Sequence, residues 1–491
     1  MDFLDPAKKR AHGIRLFIGY FLIGVALTLA TVILVFQANG YDFNRSTGTV
    51  IQNGLVFVAA QPESAAIYVN NVQQKARTDT RLTLPAGQYN IRLERDGYRT
   101  WQRTFNLNGG SIERLVYPVL WPTKLVTNDV QLYAGLSPLS MQSPDRRWLL
   151  VEQPGSLESF DMYDLTNPTQ PPVKTTVPTA ILTPSKEAQS WKLVEWSTDN
   201  RHVLLEHLFG SQHEFVMVDR ETPASSFNVD KAFKITPDQV ALHDKHFDSL
   251  FIYNATSKGL SLGSVKDGTV APYLNGVRAF KPYGSNMMLY ATEEGAPSGK
   301  VLIRLREDTT SYTLRQTTSN TTYLLDMARF SGAWYVAAGA TSEGRTYIFK
   351  NPLDALKQHP PETLAPISIL RLDNPLSLSF SNNTRFIMVQ SGNKFSVYDA
   401  DDDRRFSYQL KFPVDDTAKA VWMDGHRLML THEGKTYVWD FDGVNQQSLS
   451  ASSLAEGAFF DRDYLKLFNV APSVAVPGRY ALTQTDLKAK L

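Results

Sequence analysis

The sequence contains no cysteine among its 491 residues. This absence excludes disulfide bonds, catalytic thiols, iron–sulfur clusters and cysteine-ligated zinc sites. An excess of charge is also missing, because 50 Lys and Arg residues stand against 49 Asp and Glu residues, for a net charge of +1. The chain therefore has no global basic footprint for nucleic acid. With 43% hydrophobic and 20% charged residues it has an ordinary globular composition, which excludes a wholly disordered, collagen-like or coiled-coil chain.

One long apolar segment, residues 16–36, lies near the N-terminus. Its 21 residues include no charge, Pro, Asn or Gln, and a helix of this length spans about 30 Å, the thickness of a bilayer core. Four basic residues occur in residues 1–15, whereas Arg45 is the only one in the 25 residues after the segment. The positive-inside rule then predicts a cytoplasmic tail over residues 1–15, a transmembrane helix over residues 16–36, and export of the rest.

Two other interpretations of this segment stay open. A cleaved signal peptide has a shorter apolar core, of about 7–15 residues, followed by small residues at the cleavage site. Here the segment ends in Val35-Phe36-Gln37-Ala38, which is a poor cleavage site. A helix buried in a globular core would rarely be apolar on every face over this length. The sequence therefore favours an uncleaved anchor.

A small β domain is predicted over residues 54–121, after a linker over residues 37–53. In this region the apolar period is two, since Tyr89, Ile91 and Leu93 alternate with polar residues, as in a half-buried strand. Further short apolar runs occur at residues 55–58, 66–69, 81–84, 101–107 and 115–117. Turn residues separate them, and Gly97 after Asp96 suits a tight hairpin. The pattern predicts a compact antiparallel sandwich.

The same region resembles a PEGA domain. The resemblance is carried by the sequences GLVFV at 54–58, AAIYVN at 65–70, LPAGQY at 84–89 and DGY at 96–98, with Trp101 beyond. This copy departs from the usual pattern only in turns, at Asn71 and at residues 61–63. The resemblance implies a non-catalytic β module of bacterial envelope proteins. We expect turn residues at Pro85, Gly87 and Gly97, and core residues at Tyr89, Tyr98 and Trp101.

Similar units recur through residues 122–491. The clearest begin SPDRRWLLV at 143, STDNRHVLLE at 197, SNNTRFIMV at 381 and MDGHRLMLT at 423. Each is a polar turn, an apolar strand, a short loop and a second apolar strand that ends at or near an Asp. Weaker copies start near Phe247, Tyr283, Phe330 and Phe459. This gives about eight units at a mean step of about 45 residues, which is typical of a β-propeller.

We therefore predict a mainly β chain that ends in an eight-bladed propeller, with seven blades as the alternative and paired β-sandwiches as the rival fold. The Trp439-Asp440 pair and the Ser-Pro-Asp turn resemble WD40-like repeats of the TolB type. Residues 123–136 are expected to supply a strand that closes the ring with the last blade. Proline-rich residues 166–186 and residues 351–366 are expected to be surface connections, the second with one helical turn at 353–356.

Three motifs suggest chemistry but have structural explanations that suit their context better. Gly259-Leu260-Ser261-Leu262-Gly263 fits the nucleophile-elbow pattern, but it lies in a β-like segment rather than at a strand–turn–helix junction. His243 and His246 form H-x-x-H beside Asp244 and Asp248, without a third ligand that the sequence places there. His202, His207 and His213 are likewise scattered.

Asp399, Asp401 and Asp403 stand at alternate positions, like the start of a calcium loop. Arg404 occupies the position that requires Gly, and Leu410 the position that requires Glu, so a charged hairpin turn is the better interpretation. Six tryptophans fall in the repeats and are expected to pack between blades: Trp148, Trp191, Trp196, Trp334, Trp422 and Trp439.

The sequence thus predicts a single-pass protein of the bacterial cell membrane whose bulk is extracytoplasmic. We expect it to act as a binding or scaffold protein, with the propeller as a platform for an envelope protein or polysaccharide, and not as an enzyme. No catalytic, cofactor or metal residue is predicted, and the binding residues stay unassigned. The alternative is a glycosidase- or peptidase-like envelope hydrolase with its site in the propeller. A sensor would need a membrane partner, because the cytoplasmic tail is too short for a signalling domain.

Overall fold

The computed structural model describes residues 6–38, 40–44, 48–358, 364–415, 417–453 and 458–489. The chain divides into two compact units, one comprising residues 1–124 with 490–491, and the other comprising residues 125–489. The first unit holds a long helix and two small sheets. The second unit is the ring.

The helix α1 extends over Pro6–Ala38 and contains the whole predicted span. Residues Lys9–Ala38 are long and apolar enough to cross a membrane, and none of their most apolar window is buried in the protein. The two threonines in this stretch bond within the helix, from Thr28 Oγ1 to the Gly24 carbonyl at 2.9 Å and from Thr31 Oγ1 to the Leu27 carbonyl at 2.8 Å. Both hydroxyl donors are therefore satisfied within the helix.

Two four-stranded sheets follow in the first unit. The first sheet consists of β1 (Tyr41–Asn44), β2 (Thr49–Val58), β5 (Thr80–Pro85) and β8 (Ile112–Leu115). The second consists of β3 (Ala66–Val69), β4 (Val72–Arg77), β6 (Gly87–Glu94) and β7 (Trp101–Leu107). Val56, Ile67, Leu93 and Leu115 are wholly buried, as the inner faces of a sandwich require.

This sandwich differs from the expected one in three places. Strand β8 pairs with β2 in parallel, so the module is not purely antiparallel, and it ends at Leu115 instead of continuing to 117. The expected linker, residues 37–53, contributes β1 and the first half of β2, which pair as a hairpin. Tyr98 and Trp101 are buried as predicted, whereas Tyr89 is only half-buried, because its hydroxyl reaches outward to the Pro85 carbonyl at 2.9 Å.

Of the three turn residues predicted in the sandwich, one lies in a turn and two lie in strands. Gly97 has a φ of 79°, which confirms the tight turn predicted there. Gly87 instead begins β6, and Pro85 ends β5, so that Ala86 alone carries the chain from one sheet to the other. A buried ion pair then links the two sheets, since Arg103 on β7 lies 3.6 Å from Glu113 on β8, with each side chain only 7% exposed.

The second unit contains eight four-stranded sheets within its described residues, which we number as blades 1–8. Blade 1 has β10 (Ser140–Gln142), β11 (Trp148–Glu152), β12 (Ser159–Asp164) and β13 (Val173–Thr176). Blade 2 has β14 (Gln189–Trp196), β15 (His202–Phe209), β16 (Gln212–Asp219) and β17 (Phe227–Asn228). Blade 3 has β18 (Gln239–His243), β19 (His246–Asn254), β20 (Gly259–Ser264) and β21 (Thr269–Leu274). Blade 4 has β22 (Val277–Tyr283), β23 (Met287–Thr292), β24 (Lys300–Glu307) and β25 (Thr310–Thr318).

The remaining blades repeat this order. Blade 5 has β26 (Tyr323–Phe330), β27 (Ala333–Ala340), β28 (Arg345–Lys350) and β29 (Ser368–Arg371). Blade 6 has β30 (Ser377–Phe380), β31 (Phe386–Ser391), β32 (Lys394–Asp399) and β33 (Arg404–Gln409). Blade 7 has β34 (Val421–Trp422), β35 (Arg427–His432), β36 (Lys435–Asp440) and β37 (Gln447–Ala451). Blade 8 has β38 (Phe459–Phe460), β39 (Lys466–Pro472), β40 (Tyr480–Asp486) and β9 (Val126–Tyr133).

Blade 8 closes the ring with strands from both ends of the unit. Strand β9 pairs antiparallel with β40 from Tyr133 opposite Tyr480 to Val126 opposite Asp486. This confirms the closing strand predicted within residues 123–136. The closed ring of eight sheets is the predicted propeller, and such a ring buries both faces of every blade.

Apolar side chains fill the space between successive blades. One cluster joins Leu150 and Phe160 of blade 1 to Val203 and Val216 of blade 2, and equivalent clusters join the following pairs as far as blades 5 and 6. Another joins blades 8 and 1. Because both faces are covered, the middle strands contain runs of consecutive apolar residues, as in Phe386–Val389 of β31, where the four residues are at most 1% exposed.

Short helices lie in the connections. They are α2 (Val229–Phe233), α3 (Pro352–Gln358) and 3₁₀ turns at Thr179–Ile181, Pro223–Ser225 and Thr341–Glu343. Helix α3 confirms the helical turn predicted at 353–356. Residues 166–186 were expected to be only a surface connection, but they include β13, the outer strand of blade 1. The sequence does not show this strand as an apolar run, because three of its four residues are exposed.

Candidate functional site

The ring has two unlike faces. We call the turn face the side where the first strand of each blade turns into the second. We call the loop face the opposite side, formed by the connections between second and third strands and by the segments that lead from one blade to the next. The sequence repeat begins at the turn face, so it is offset from the blade by one strand.

The repeated Asp residues brace the turn face. In blades 1, 2 and 6 an Arg of the turn forms an ion pair with the Asp that ends the third strand: Arg147 with Asp164 at 2.7 Å, Arg201 with Asp219 at 2.5 Å and Arg385 with Asp399 at 2.6 Å. Asp219 and Asp399 are each 1% exposed, and both also accept backbone N–H groups from the residues that follow them. The repeated sequence motif is therefore a structural brace.

Contacts between neighbouring blades run all the way round the turn face. They are Asp145 N to Asn200 Oδ1, Thr198 N to the Lys245 carbonyl, His243 Nε2 with the Ser285 carbonyl, Lys281 with Asp326, Thr384 Oγ1 to the Arg329 carbonyl, Asn382 Nδ2 and Tyr464 hydroxyl to the Met423 carbonyl, and Gln142 Nε2 to the Phe460 carbonyl. Each of the eight blade pairs is represented. The turn face is thus a continuous hydrogen-bonded rim.

Arg146 of blade 1 contacts both the adjacent blade 8 and the more distant blade 7. Its guanidinium stacks on the ring of Tyr464 in blade 8 at 4.3 Å and donates from Nη2 to the Met423 carbonyl in blade 7 at 2.9 Å. The Met423 carbonyl therefore accepts hydrogen bonds from three other blades. These side chains occupy the inner edge of the rim at blades 7, 8 and 1.

Four charged side chains occupy the inner edge at blades 2–5. Glu195 pairs with Lys245 and accepts the Leu242 N–H at 2.8 Å, while Asp326 lies 3.4 Å from Lys281 and accepts the Phe380 N–H at 3.2 Å. Each acid thus binds both a lysine and the first strand of the next blade. Burial by the surrounding protein, together with the charge of Lys281, lowers the pKa of Lys245 to about 8, although solvent still reaches 57% of its side chain. The group is balanced in charge, with each acid neutralised by a lysine.

The loop face also carries contacts between blades, such as Lys258 with Glu293 at 2.6 Å and Gln390 Nε2 to the Ala418 carbonyl at 2.8 Å, but it has cavities as well. A cavity of about 560 Å³ lies on the inner side of the ring between the first strands of blades 5 and 6 and the segment that leads into blade 7. Tyr323, Leu325, Ser377, Ser379 and Trp422 contribute to its walls. The indole of Trp422 donates to Ser379 Oγ at 3.1 Å, which joins blades 6 and 7 at this wall.

Lys419 is the one charged side chain among the described residues that line this cavity. It also lines a second cavity, of about 360 Å³, on the blade 8 side of the same segment, where again none of the described lining residues is acidic. Within the described part of the chain, no hydrogen bond or ion pair engages its ammonium group. Within the described residues, the two cavities therefore combine hydroxyl groups, apolar walls and the ammonium group of Lys419, which suits a partner with a carboxylate or another anionic group.

A third cavity, of about 680 Å³, lies between blades 2 and 3 and holds two carboxyls with opposite behaviour. Burial raises the pKa of Glu214, but hydrogen bonds from His207 and Thr183 more than offset this and leave it at about 2. For Asp230 burial prevails over a hydrogen bond from the Phe215 N–H, and its pKa rises to about 6. Separated pKa values of this kind are what acid–base catalysis uses.

Glu214, however, is fully engaged in holding the blade together. It accepts the Thr183 N–H at 2.8 Å, the Thr183 hydroxyl at 2.5 Å and a ring nitrogen of wholly buried His207 at 2.9 Å. Its side chain is 5% exposed, so it offers no free oxygen to a substrate. Asp230 lies in the first turn of α2 and anchors Phe215 through one oxygen.

The motifs singled out in the sequence are dispersed. Gly259–Gly263 lies in β20, in the middle of a hairpin, as predicted. His243 and His246 flank the turn from β18 to β19, where His243 bonds Ser249 and the Ser285 carbonyl. Asp399 ends β32 and Asp403 precedes β33, which confirms the charged hairpin turn. Within the described residues no group of three or more His, Asp or Glu side chains is placed to hold a metal ion.

The six tryptophans of the repeats differ in burial. Trp191, Trp196, Trp422 and Trp439 are buried between blades, as predicted, whereas Trp148 and Trp334 are half-buried at the turn face. Trp148 stacks with Arg220 at 4.3 Å, and Trp334 packs against Tyr283 at 5.0 Å. The residues that sequence reasoning missed are Lys419, Arg146, Glu195 and Asp326, of which only Arg146 lies in a repeated motif. The only signal available was that Arg146 follows the Ser-Pro-Asp turn.

Comparison with known proteins identifies a module in the first unit. Residues 53–115 match the model of the PEGA domain. A search of curated proteins finds no match to the chain. Among solved structures the chain is similar to Hsv2 of Kluyveromyces lactis, with 10% identity, coverage of 66% of this chain and 98% of the other, and a TM-score of 0.39.

Two further solved structures have a similar sequence identity, coverage and TM-score. The Dos1 propeller has 14% identity, 74% and 94% coverage of this chain and of its own, and a TM-score of 0.43. The dihydro-heme d1 dehydrogenase NirN, solved in complex with DHE, has 12% identity, 65% and 66% coverage, and a TM-score of 0.40. The blade count and ring closure rest on the strand pairing of this chain and not on these likenesses.

Proposed function

We propose that the chain is a membrane-anchored extracytoplasmic binding or scaffold protein of the bacterial cell envelope, with α1 as an uncleaved anchor. Its four N-terminal basic residues favour a cytoplasmic N-terminus. The PEGA module serves as a spacer or second contact, and the propeller holds an envelope protein or polysaccharide. The proposed fold of the ring is of the TolB type.

The observation that carries the proposal is the contrast between the two faces of the ring. The turn face uses its polar groups on neighbouring blades, whereas the loop face carries the cavities and the unengaged ammonium of Lys419. We infer that the partner binds at the loop face and offers an anionic group to Lys419. A binding role needs no acid–base pair, and the two carboxyls with separated pKa values in the cavity between blades 2 and 3, Glu214 and Asp230, are held by structural hydrogen bonds.

Site-specific photocrosslinking in intact cells tests the choice of face, since a chain without cysteine accepts one probe per variant. The probe is placed at Thr417→Cys beside the cavities, and the matched control is Arg462→Cys on the turn face, both at exposed positions. We expect a crosslinked species from position 417 and none from position 462. A product from position 462 alone, or from neither, would contradict the proposal.

Alkaline phosphatase fused to the C-terminus tests the orientation. We expect an active fusion at the outer side and a chain that keeps its N-terminal residues, as read by mass spectrometry of the purified protein. An inactive fusion would show that the C-terminus lies in the cytoplasm, which is the opposite orientation. Loss of the first 37 or so residues would show a cleaved signal peptide.

An envelope hydrolase is the second candidate, and the raised pKa of Asp230 beside the low pKa of Glu214 is what favours it. In that case the purified protein should cleave peptidoglycan or a casein substrate. Asp230→Asn should abolish the cleavage, while Asp238→Asn in the same cavity should spare it. Absence of cleavage by the unaltered protein would leave the binding role.

A further inference from the structure

The interface between blades 7 and 8 contains a cavity of about 360 Å³ at the loop face. Its walls come from β35 and β36 of blade 7, from the segment that leads into blade 7, and from Ala458 just before β38 of blade 8. The volume lies at the lower end of the range of roughly 300–1,000 Å³ in which proteins bind small ligands. A folded protein surface cannot enter a space of this size, whereas a small molecule or a single chain terminus can.

A threonine stands at the floor of this cavity where the neighbouring blade has a phenylalanine. Phe395 is the second residue of β32 and Thr436 is the second residue of β36, and each pairs with the last residue but one of the preceding strand. The ring of Phe395, 1% exposed, packs against Trp439 of blade 7, with the ring centroids 5.5 Å apart. Thr436 has no ring to place against blade 8, so space remains between these two blades.

Thr436 also carries a buried donor without an acceptor. The residue is 0% exposed, and its Oγ1 accepts a hydrogen bond from Nδ2 of Asn469 in blade 8 at 3.0 Å. Among the described residues, none accepts a hydrogen bond from the Thr436 hydroxyl. Because a buried donor without an acceptor costs free energy, this hydroxyl indicates an acceptor supplied by a ligand.

The other polar side chains of the cavity are donors as well. Thr417 and Thr431 line it with hydroxyls that donate to no described residue, and Lys419 adds its unengaged ammonium group. A carboxylate accepts several hydrogen bonds and carries one negative charge, which balances the one cation of the described lining. A phosphate monoester carries close to two negative charges at neutral pH and would be left undercompensated.

Apolar side chains, Val421 and Met429 among them, form the rest of the walls and suit a short hydrocarbon group. We propose that this cavity binds a carboxylate carried on a short apolar group, either the C-terminal residue of a protein or a free carboxylic acid. The inference deepens the proposed function and rests on its choice of the loop face, because it specifies the anionic group that the partner offers to Lys419.

The test uses the full-length chain in lipid nanodiscs with isotope-labelled methionine methyl groups. The methyl resonance of Met429, identified by its loss in Met429→Leu, reports on the cavity wall. N-acetyl-leucine is the probe for a chain terminus, isocaproate is the probe for a free acid, and N-acetyl-leucinamide is the control without a carboxylate. We expect saturable shifts with the acids and an affinity for the amide about tenfold lower or weaker still, since a hydrogen bond to a charged group is lost. The acid that binds more tightly identifies the source.

Variants assign the effect to the cavity. Lys419→Gln should weaken binding of the acids about tenfold and remove the preference over the amide. Lys435→Gln, at an exposed position of the same blade outside the cavity lining, should change neither. Thr436→Phe copies blade 6 and should abolish binding. Thr431→Val keeps the side-chain shape and should weaken binding several-fold, so it remains informative if Thr436→Phe does not fold.

The outcomes separate this inference from the proposed function. A crosslinked partner at position 417 together with an unresponsive Met429, or with equal affinity for acid and amide, would overturn the carboxylate site and leave the proposed function intact. Shifts of Met429 with the acids but no crosslinked partner would contradict the proposed function and support the site. Binding of the acids that survives both Lys419→Gln and Thr431→Val would place the ligand elsewhere and overturn the inference.

Discussion

Glu152, at the end of β11, is a buried carboxyl without a hydrogen-bond partner. Its side chain is 3% exposed, its Oε2 atom has no partner among the described residues, and burial raises its pKa to about 8. Between the ordinary pKa of 4.5 and about pH 8 the folded protein keeps a proton that the unfolded chain releases. The free energy of unfolding contributed by this group therefore falls as the pH rises through that window.

Glu152→Gln should remove this pH dependence. The amide has the same shape and no charge to desolvate, so the variant should match the wild type at pH 4 and exceed its stability at pH 8 by as much as about 4 kcal/mol. Urea denaturation at the two pH values measures the difference. Glu187→Gln, at an exposed position of the connection into blade 2, is the control and should leave the pH dependence unchanged. Equal pH slopes for wild type and Glu152→Gln would refute the assignment.

Adjacent arginines in blade 1 offer a second test at this scale. Arg146 bonds the Met423 carbonyl and stacks on Tyr464, whereas Arg147, with a side chain 51% exposed, pairs with Asp164 at the surface. We expect Arg146→Met to cost about 1–2 kcal/mol of stability, since the carbonyl loses a charged donor. Arg147→Met should cost less than Arg146→Met, because exposed ion pairs contribute little. Thermal denaturation of the two variants compares them, and the reverse order would contradict the role of Arg146.

Single residues of this kind are what the sequence could not predict. Lys419 stands in a polar connection with no repeat partner, and Glu152 ends an apolar run where a polar residue normally marks a strand end. The significance of each depends on which groups surround it in space. Periodicity reports which face of a strand is covered, but it does not report whether a neighbouring strand supplies a hydrogen bond.

At the scale of elements, the turn that opens each repeat is a brace built from one Arg and one Asp. In blade 6 Arg385 donates from Nε and Nη2 to the two oxygens of Asp399, at 2.8 and 2.6 Å. The same guanidinium lies 2.9 Å from Asp401, which is 49% exposed. Asp402 lies 3.2 Å from it as well, so three carboxylates share one arginine, and Asp399 differs from the other two in being buried.

This difference predicts unequal effects of the same substitution. Asp399→Asn should cost about 2–3 kcal/mol, because it removes the charge of the buried carboxylate that binds the Arg385 guanidinium with both oxygens and weakens the bonds from the Asp401 and Asp402 N–H groups. Asp401→Asn, its matched control, should cost less than about 1 kcal/mol. Chemical denaturation resolves the two values. Similar losses for both variants would show that the brace acts through net charge alone.

Elements with a buried face were predictable, and elements at edges were not. The alternation at Tyr89, Ile91 and Leu93 and the apolar runs of the blades reflect covered faces, and these gave the sandwich and the ring. One of the four residues of the outer strand β13 is buried, and in the hairpin of β1 with the first half of β2 none of the described side chains, at residues 41 and 50–53, is buried. They form because neighbouring strands offer backbone hydrogen bonds, which leave no trace in side-chain pattern.

At the scale of the whole molecule, the ring depends on one strand that precedes all the others. A chain that starts at Thr123 keeps β9, whereas one that starts at Pro138 leaves β40 with an unpaired edge and Tyr163 without its 2.6 Å hydrogen bond to Tyr133. We expect the shorter chain to lose on the order of 5 kcal/mol or more, from the missing ladder and the exposed apolar surface. Calorimetry of the two chains compares them. Equal transition temperatures would show that blade 8 does not need β9.

The same strand has a consequence for how the protein is made. Thr127 on β9 and Thr485 on β40 bond each other across 358 positions of sequence. During synthesis from the N-terminus, β9 must therefore wait, unpaired, until nearly every other blade has been produced. A nascent chain interrupted anywhere before residue 480 retains a bare strand edge, and such edges are prone to aggregation and open to proteases. The ring therefore cannot close until residues 480–486 have been synthesised, so a ribosome that stops earlier releases a product with an open edge, which quality control can recognise.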